Sequence, residues 1–306
     1  MFLLTAKSHG ERAAIEDTLF TTLSVAKLLP KRKRNTHKGS YGKAAIVAGS
    51  EAYSGAAFLS TGACLRSGVG YTALFTPKNL LPAFYLQQPE ALLIPSNEGG
   101  RYAFNEKTME QVCTYNAVAY GMGMGCSEEV ALGVKYLLKH YQGKLLLDAD
   151  GLNALAEFCF DEMKTLFTNK KCDVVLTPHI KEFSRLTRES VEEILEKGLF
   201  APCGFAKEYG VTVLLKNAVS LIAEGDKLAV NTSGCSGQAK GGSGDVLSGL
   251  IAGLLAQGLT AFDAACAGAY LAGKSAELVA AEKGEHAMLP RDCIEKLPTA
   301  FLSVEA

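Results

Sequence analysis

The chain has 306 residues, and 31 Lys and Arg against 32 Asp and Glu leave a net charge of −1. That balance excludes a dedicated nucleic-acid binder, which needs a basic excess; with 48% hydrophobic and 21% charged residues, disorder as the main state is excluded too. The uncharged apolar stretch at residues 246–262 contains Gln257 and three glycines, short of the about 20 apolar residues that a membrane span needs.

Residues 11–29 read as a peripheral helix, followed by Pro30 and the charge run Lys31-Arg32-Lys33-Arg34, read as a solvated linker. From Lys43 onward, short apolar runs alternate with longer Ala- and Leu-rich ones. Strands are expected at 44–48, 71–76, 117–120, 144–148, 173–177, 211–216 and 220–223. Helices are expected at 55–67, 128–140, 151–158, 191–209, 245–257 and 261–282. Apolar strands separated by helices imply an α/β fold with a mostly parallel sheet covered on both faces. No Pro-, Gly- or Ser-rich linker divides residues 43–301. Residues 1–30 are therefore taken as an N-terminal helix and linker, and 31–306 as a single domain.

The nine cysteines come no closer than thirteen residues (Cys113 to Cys126, Cys159 to Cys172), so neither CxxC nor a zinc spacing occurs. A reduced, cytoplasmic set of thiols is the economical reading. The apolar run behind Met1 is too short for a signal-peptide core.

Four segments carry candidate chemistry. Gly241-Gly242-Ser243-Gly244 ends at Asp245, and an apolar helix follows at once. Backbone N–H groups at a helix start, approachable because glycines flank them, form a phosphate cradle. The loop is no Walker A motif, because no Lys-Ser or Lys-Thr closes it. The turn Gly49-Ser50, followed by Ser54-Gly55-Ala56-Ala57, lies after the first sheet strand, at the edge where ligands bind in open α/β folds. Asp148-Ala149-Asp150-Gly151-Leu152-Asn153 sets two carboxylates and an amide at a strand end. His179 and Glu182, three apart just past another strand, can meet on one helical face. Gly121-Met122-Gly123-Met124-Gly125 falls one glycine short of a dinucleotide fingerprint, because Cys126 stands where that glycine belongs.

In order, HKGSYGK, VAGSEAYSGAA, GMGMG, LLLDADGLNAL, LTPHIKEFSRL, LLKNAVS and NTSGCSGQAKGGSGDVLSGLIAGLLAQG resemble the ADP- or ATP-dependent NAD(P)H-hydrate dehydratases of the ribokinase-like superfamily, over about residues 25–300. The resemblance implies a three-layer αβα sandwich. It implies that Ala56, Gly123, His179 and Asp245 face hydrated NADH or NADPH, with Asp245 the catalytic base. It implies an adenine nucleotide, ADP or ATP with Mg²⁺, on Lys216, Asn217, Ala218, Val219 and Ser220 and on Gly242 and Gly244. Asp148, Asn153, Glu182 and Asn231 are read as supporting residues. The chain differs from the family in three places: Lys216-Asn217 with Ser220 replaces Lys-Gly-x-x-Thr, Ile180-Lys181 replaces Pro-Gly, and Gly121–Gly125 replaces Gly-Pro-Gly-Leu-Gly. The reaction implied is dehydration of the S epimer of the hydrate; the alternative is a small-molecule kinase of the hydroxyethylthiazole-kinase type. No epimerase activity is expected, and no nucleic-acid or membrane partner. A homo-oligomer is expected, since the small-residue helix at 261–281 permits close packing.

Overall fold

The structure, a computed structural model, describes residues 22–305. Nine strands form one sheet in the order β3-β2-β1-β4-β5-β6-β7-β8-β9. Its parallel part comprises β1 (Lys43–Val47), β2 (Tyr71–Thr76), β3 (Leu92–Pro95), β4 (Ala117–Tyr120), β5 (Lys144–Leu147), β6 (Asp173–Leu176) and β7 (Thr212–Leu215). The antiparallel strands β8 (Ser220–Glu224) and β9 (Lys227–Asn231) complete one edge. All residues of β4 and β7 are buried, as a strand sandwiched between two helical layers requires.

The helices in chain order are α1 (Thr22–Leu28), α2 (Ser54–Arg66), α3 (Leu81–Gln87), α4 (Glu106–Val112), α5 (Glu128–His140), α6 (Asp150–Phe158), α7 (Met163–Thr168), α8 (Ile180–Thr187), α9 (Val191–Glu196), α10 (Cys203–Tyr209), α11 (Ser243–Ala256), α12 (Ala261–Lys283) and α13 (Pro290–Glu305). On one face of the sheet, Val118, Tyr120, Leu145 and Leu147 pack with residues of α5 and α6. On the other, α11 fits between α2 and α12, and every residue from Val246 to Ala256 is buried. That explains its unbroken apolar sequence. Small residues make the close approach possible. A Cβ on Gly249 would lie 1.9 Å from the Ser60 carbonyl oxygen, and one on Gly253 would lie 1.8 Å from Ser67 Oγ.

Three expectations change. The helix foreseen over 191–209 is α9, a short 3-10 turn at Gly198–Phe200 and α10; Gly198 takes φ +56° and Pro202 precedes α10. Of the helix foreseen over 11–29, Thr22–Leu28 is observed, and residues 1–21 lie outside the described residues. It is less peripheral than expected: α1 packs on α12 and α13, and Val25 is fully buried. Finally, β3, β9, α3, α4, α7, α8 and α13 were not foreseen. The Lys31–Arg34 run is exposed as expected, although Arg32 lies 4.0 Å over the Tyr41 ring and donates to the Gly68 carbonyl. Among the described residues, no helix is long and apolar enough to cross a membrane.

Candidate active site

The carboxyl ends of β1, β4, β5, β6 and β7 bring the candidate segments together. After β1, the Gly49 N–H donates to the Met122 carbonyl at 2.8 Å and Ser50 Oγ donates to the Gly123 carbonyl at 2.9 Å. Gly123 takes φ +64°, and a Cβ there would lie 2.7 Å from Ala56 Cβ and 2.9 Å from Tyr53 Cβ. Gly123 and Ala56 thus face each other, and only glycine allows that approach.

After β5, Asp148 is 1% exposed. Ala149 follows with φ 48° and ψ −115°, a strained backbone for a residue with a Cβ. The Gly151 N–H donates to the Asp148 carbonyl at 2.9 Å, the Asp150 N–H to the Gly121 carbonyl at 3.2 Å, and the Gly125 N–H to Asp150 Oδ2 at 2.7 Å. These bonds interlock the 121–125 loop with the 148–151 turn and hold Ala149 in place.

His179 caps α8. Its Nδ1 accepts the N–H groups of Lys181 and Glu182, both at 3.1 Å, while Glu182 Oε2 accepts the His179 N–H at 2.8 Å. This reciprocal box is why a His and a Glu three residues apart start a helix here. It requires an unprotonated Nδ1, so the neutral ring carries its proton on Nε2, 3.4 Å from Glu182 Oε1. Burial, with the charges of Lys216 and Arg185, lowers the His179 pKa. Burial raises that of Glu182.

Asp245 lies in the first turn of α11, behind Gly242, which enters the helix with φ +102°. Burial first, and the charge of Asp148 second, push its carboxyl up to about 7 against the pull of Lys216. No hydrogen bond to that carboxylate is made by the described residues. Lys216, on the β7–β8 hairpin, places Nζ 2.9 Å from Asp148 Oδ1. A Cβ on Gly244 would lie 3.4 Å from the same Nζ and 3.8 Å from Asp148 Oδ2. A cation, a helix start and a half-buried carboxylate therefore lie together, an arrangement chemically able to hold an anion beside a proton acceptor.

Gly244, Asp245, Lys216 and Asp148 converge, with Glu182 and His179 close enough to interact electrostatically with Lys216 and Asp148, whereas a Cβ on Gly242 would meet Leu59 and Pro290 instead. Asn217 and Ala218 are exposed at the hairpin tip, with Val219 and Ser220 behind them. Ser220 pairs in register with the buried Asn231. Asn231 bonds to Ser233 Oγ at 2.9 Å, and Asn153 Oδ1 receives Arg185 at 2.8 Å; both amides are engaged with neighbouring side chains. Sequence reasoning missed Ser248, whose Oγ donates to Asp148 Oδ2 at 2.6 Å. Its signal was present, three residues after Asp245 on one helix face. It also passed over Gly268 to Ser275, which has P-loop spacing but lies inside α12, where the helix occupies the amides that a phosphate would need. A cleft of about 550 Å³, lined by Ser236, Gly237, Ala239, Lys240, Glu285 and His286, flanks the loop leading to Gly241 but does not contain Asp245. Among the described residues, no three His, Cys, Asp or Glu side chains converge as a metal cage.

A family model described as NAD(P)H-hydrate dehydratase matches residues 44–299. The chain belongs to that family. The bifunctional NAD(P)H-hydrate repair enzyme of Thermofilum pendens is 36% identical to this family member over 278 residues, 89% of this chain and 52% of its own length. The chain thus spans about half the length of that relative. The ADP-dependent (S)-NAD(P)H-hydrate dehydratase of Cenarchaeum symbiosum is 33% identical over 280 residues, 90% of this chain and 94% of its own. The crystal structure of the ADP/ATP-dependent NAD(P)H-hydrate dehydratase from Bacillus subtilis, co-crystallized with ATP/Mg²⁺, superposes with a TM-score of 0.82 at 31% identity, covering 94% of this chain and 98% of that one. The fold is the three-layer ribokinase-like sandwich that the sequence implied.

Proposed function

We propose that this NAD(P)H-hydrate dehydratase family member uses ADP or ATP to dehydrate the S epimer of hydrated NADH and NADPH, restoring the intact dinucleotides. The carrying observation is Asp245, with its carboxyl raised to about 7, at the start of α11 beside Lys216 and Gly244. A base whose pKa lies near the operating pH is suited to proton transfer.

The C6 hydroxyl of the hydrated ring leaves poorly as hydroxide. Asp245 takes its proton while the oxygen attacks the terminal phosphoryl group, releasing AMP from ADP or ADP from ATP. The ring-nitrogen lone pair then expels phosphate by breaking the C6–O bond, and loss of a proton from C5 restores the C5=C6 double bond. The net products are NADH or NADPH, inorganic phosphate and the shortened nucleotide. The amides of Gly242 and Gly244 and the Lys216 ammonium offset the charge of the moving phosphoryl group; the Ser243 N–H is held by the Lys240 carbonyl. Magnesium would be held by the nucleotide's own phosphates, where it would supply charge neutralisation. With no side-chain cage among the described residues and both Asp148 oxygens engaged, the site suits an ion carried on phosphates and water.

Gly123 and Ala56 line the proposed dinucleotide path, the β7–β8 hairpin the nucleotide path. The same reading includes a single domain over 31–306, a cytoplasmic location and a homo-oligomer; exposed Tyr85, Leu86 and Leu92 around β3 supply an apolar edge that a second copy would cover. The deciding assay mixes the protein with hydrated NADH and either nucleotide, following absorbance at 340 nm and phosphate release together. Recovery of absorbance with one phosphate released per NADH is expected. Phosphate retained on an organic product, with no recovery, identifies a kinase.

A further inference from the structure

The Asp148 carboxylate presents a question that its burial sharpens. At 1% exposure it has lost nearly all contact with water, and a buried carboxylate needs partners to stay ionised. It has two, from segments distant in the chain. Lys216 Nζ reaches Oδ1 at 2.9 Å from the β7–β8 hairpin, and Ser248 Oγ reaches Oδ2 at 2.6 Å from α11. Ser248 is itself fully buried and lies one turn beyond Asp245. A line of bonds therefore runs from the hairpin through the end of β5 into the helix that carries the base. It ends with the ammonium 3.4 Å from where a Gly244 Cβ would be.

We infer that Asp148 and Ser248 are positioning residues that fix the Lys216 ammonium at the Gly244 end of the cradle and keep it from pairing with Asp245. The inference rests on the proposed function only in naming the anion at Gly244 as a nucleotide phosphate. Lys216 is the cation whose charge pulls Asp245 down, whereas Asp148, Asp150 and Glu182 push it up. The Arg185 charge lowers the pKa of both His179 and Glu182, and the His179 N–H bonded to Glu182 lowers that of Glu182 as well. Held by Asp148, the ammonium serves the phosphate; released, it would neutralise the base. The tether thus divides one cation from one base that would otherwise cancel.

The test compares Ser248→Ala, Asp148→Asn and the hydroxyl-preserving Ser248→Thr with wild type, by kinetics against pH and by ADP and NADPH titrations that need no turnover. Ser248→Ala removes one bond to a charged group, so kcat and ADP affinity should each fall roughly tenfold, with NADPH affinity unchanged and Ser248→Thr recovering most of the loss. Asp148→Asn should lower kcat further and move the acid limb of kcat/KM to lower pH, because the Asp148 charge that raises Asp245 is lost and the freed ammonium also pairs with Asp245. The tether itself is therefore read from Ser248→Ala, which keeps the Asp148 charge and should move the limb in the same direction. If Asp148→Asn fails to fold, the Ser248 pair still decides. Variants within twofold of wild type in both kcat and ADP affinity overturn the inference, as does an equal loss of NADPH and ADP affinity, which marks a merely structural role. Wild type that binds ADP without dehydrating overturns the proposed function, and the tether then stands or falls on the ADP ratios. Wild type that binds no ADP overturns both.

Discussion

Replacing Asp245 with Asn separates chemistry from packing, because the amide keeps the size of the side chain and cannot accept a proton. General-base catalysis is typically worth about 10²–10⁴-fold, so turnover should fall by at least ~10²-fold while ADP binding persists. Stability should move in the opposite direction, and only in one pH range. The folded carboxyl titrates near 7 instead of 3.8, so the folded state binds more protons than the unfolded chain between those values. Wild-type stability therefore falls as pH rises from about 4 to about 7 and levels off above. That gap caps the effect at roughly 4 kcal/mol, and water reaching the half-open carboxylate reduces it to about 1–2 kcal/mol. An amide at this position carries no such penalty, so Asp245→Asn should melt about 2–6 °C above wild type at pH 8 and at the same temperature at pH 4. Paired thermal scans at the two pH values, with calorimetric ADP titration and the 340 nm assay, check all three outcomes. Near-normal turnover would reduce Asp245 to a helix-start residue. An equal Tm gain at both pH values would refute the burial argument.

Gly123→Val should weaken NADPH binding and leave ADP binding intact, since its Cβ would collide with Ala56 and Tyr53, away from the Lys216 hairpin; equal losses of both ligands in paired titrations would contradict that division. Gly249→Ala forces a Cβ to within 1.9 Å of the Ser60 carbonyl, so α2 and α11 must part, at a cost of about 1–3 kcal/mol; an unchanged denaturation midpoint would show that the seam is soft. Cys126, although exposed, has its thiol pushed up to about 12 by burial and by Glu157, so iodoacetamide at pH 7.5 should label it far more slowly than a small free thiol and leave activity intact. Rapid labelling seen by mass spectrometry would show that the thiol and Glu157 part readily.

The parallel sheet was legible because its strands are buried on both sides and therefore spelled in unbroken apolar runs. β3 escaped notice for the complementary reason. It is a four-residue edge strand with two exposed and two half-buried positions, so its pattern is too weak to stand out from a loop. α13 contains Pro298, which reads as an interruption in sequence and is tolerated near the surface of the fold. Within the site, glycines followed by Asp245 announced a helix start, and Asp148 announced a strand end. That the two are joined through Ser248 is written nowhere locally, because the contact spans 100 positions. The same limit applies to the P-loop spacing at Gly268–Ser275, which lies inside a helix: a motif specifies atoms only once its backbone is known to be a loop.

That span also orders events during synthesis. A ribosome releases β1, α2 and β2 long before α11, and until α11 arrives the surface of α2 around Ser60 and Ser67 has nothing to cover it. The first two-thirds of the sheet can pair as it emerges, each parallel strand adding beside one already present, but Asp148 stays without its serine until residue 248 has left the exit tunnel. Competence thus comes late and nearly all at once, when a helix without a polar face is drawn into the groove left for it. During that interval the nascent chain displays an apolar trough, so slowing translation just ahead of α11 should increase chaperone engagement more than the same pause placed after α12.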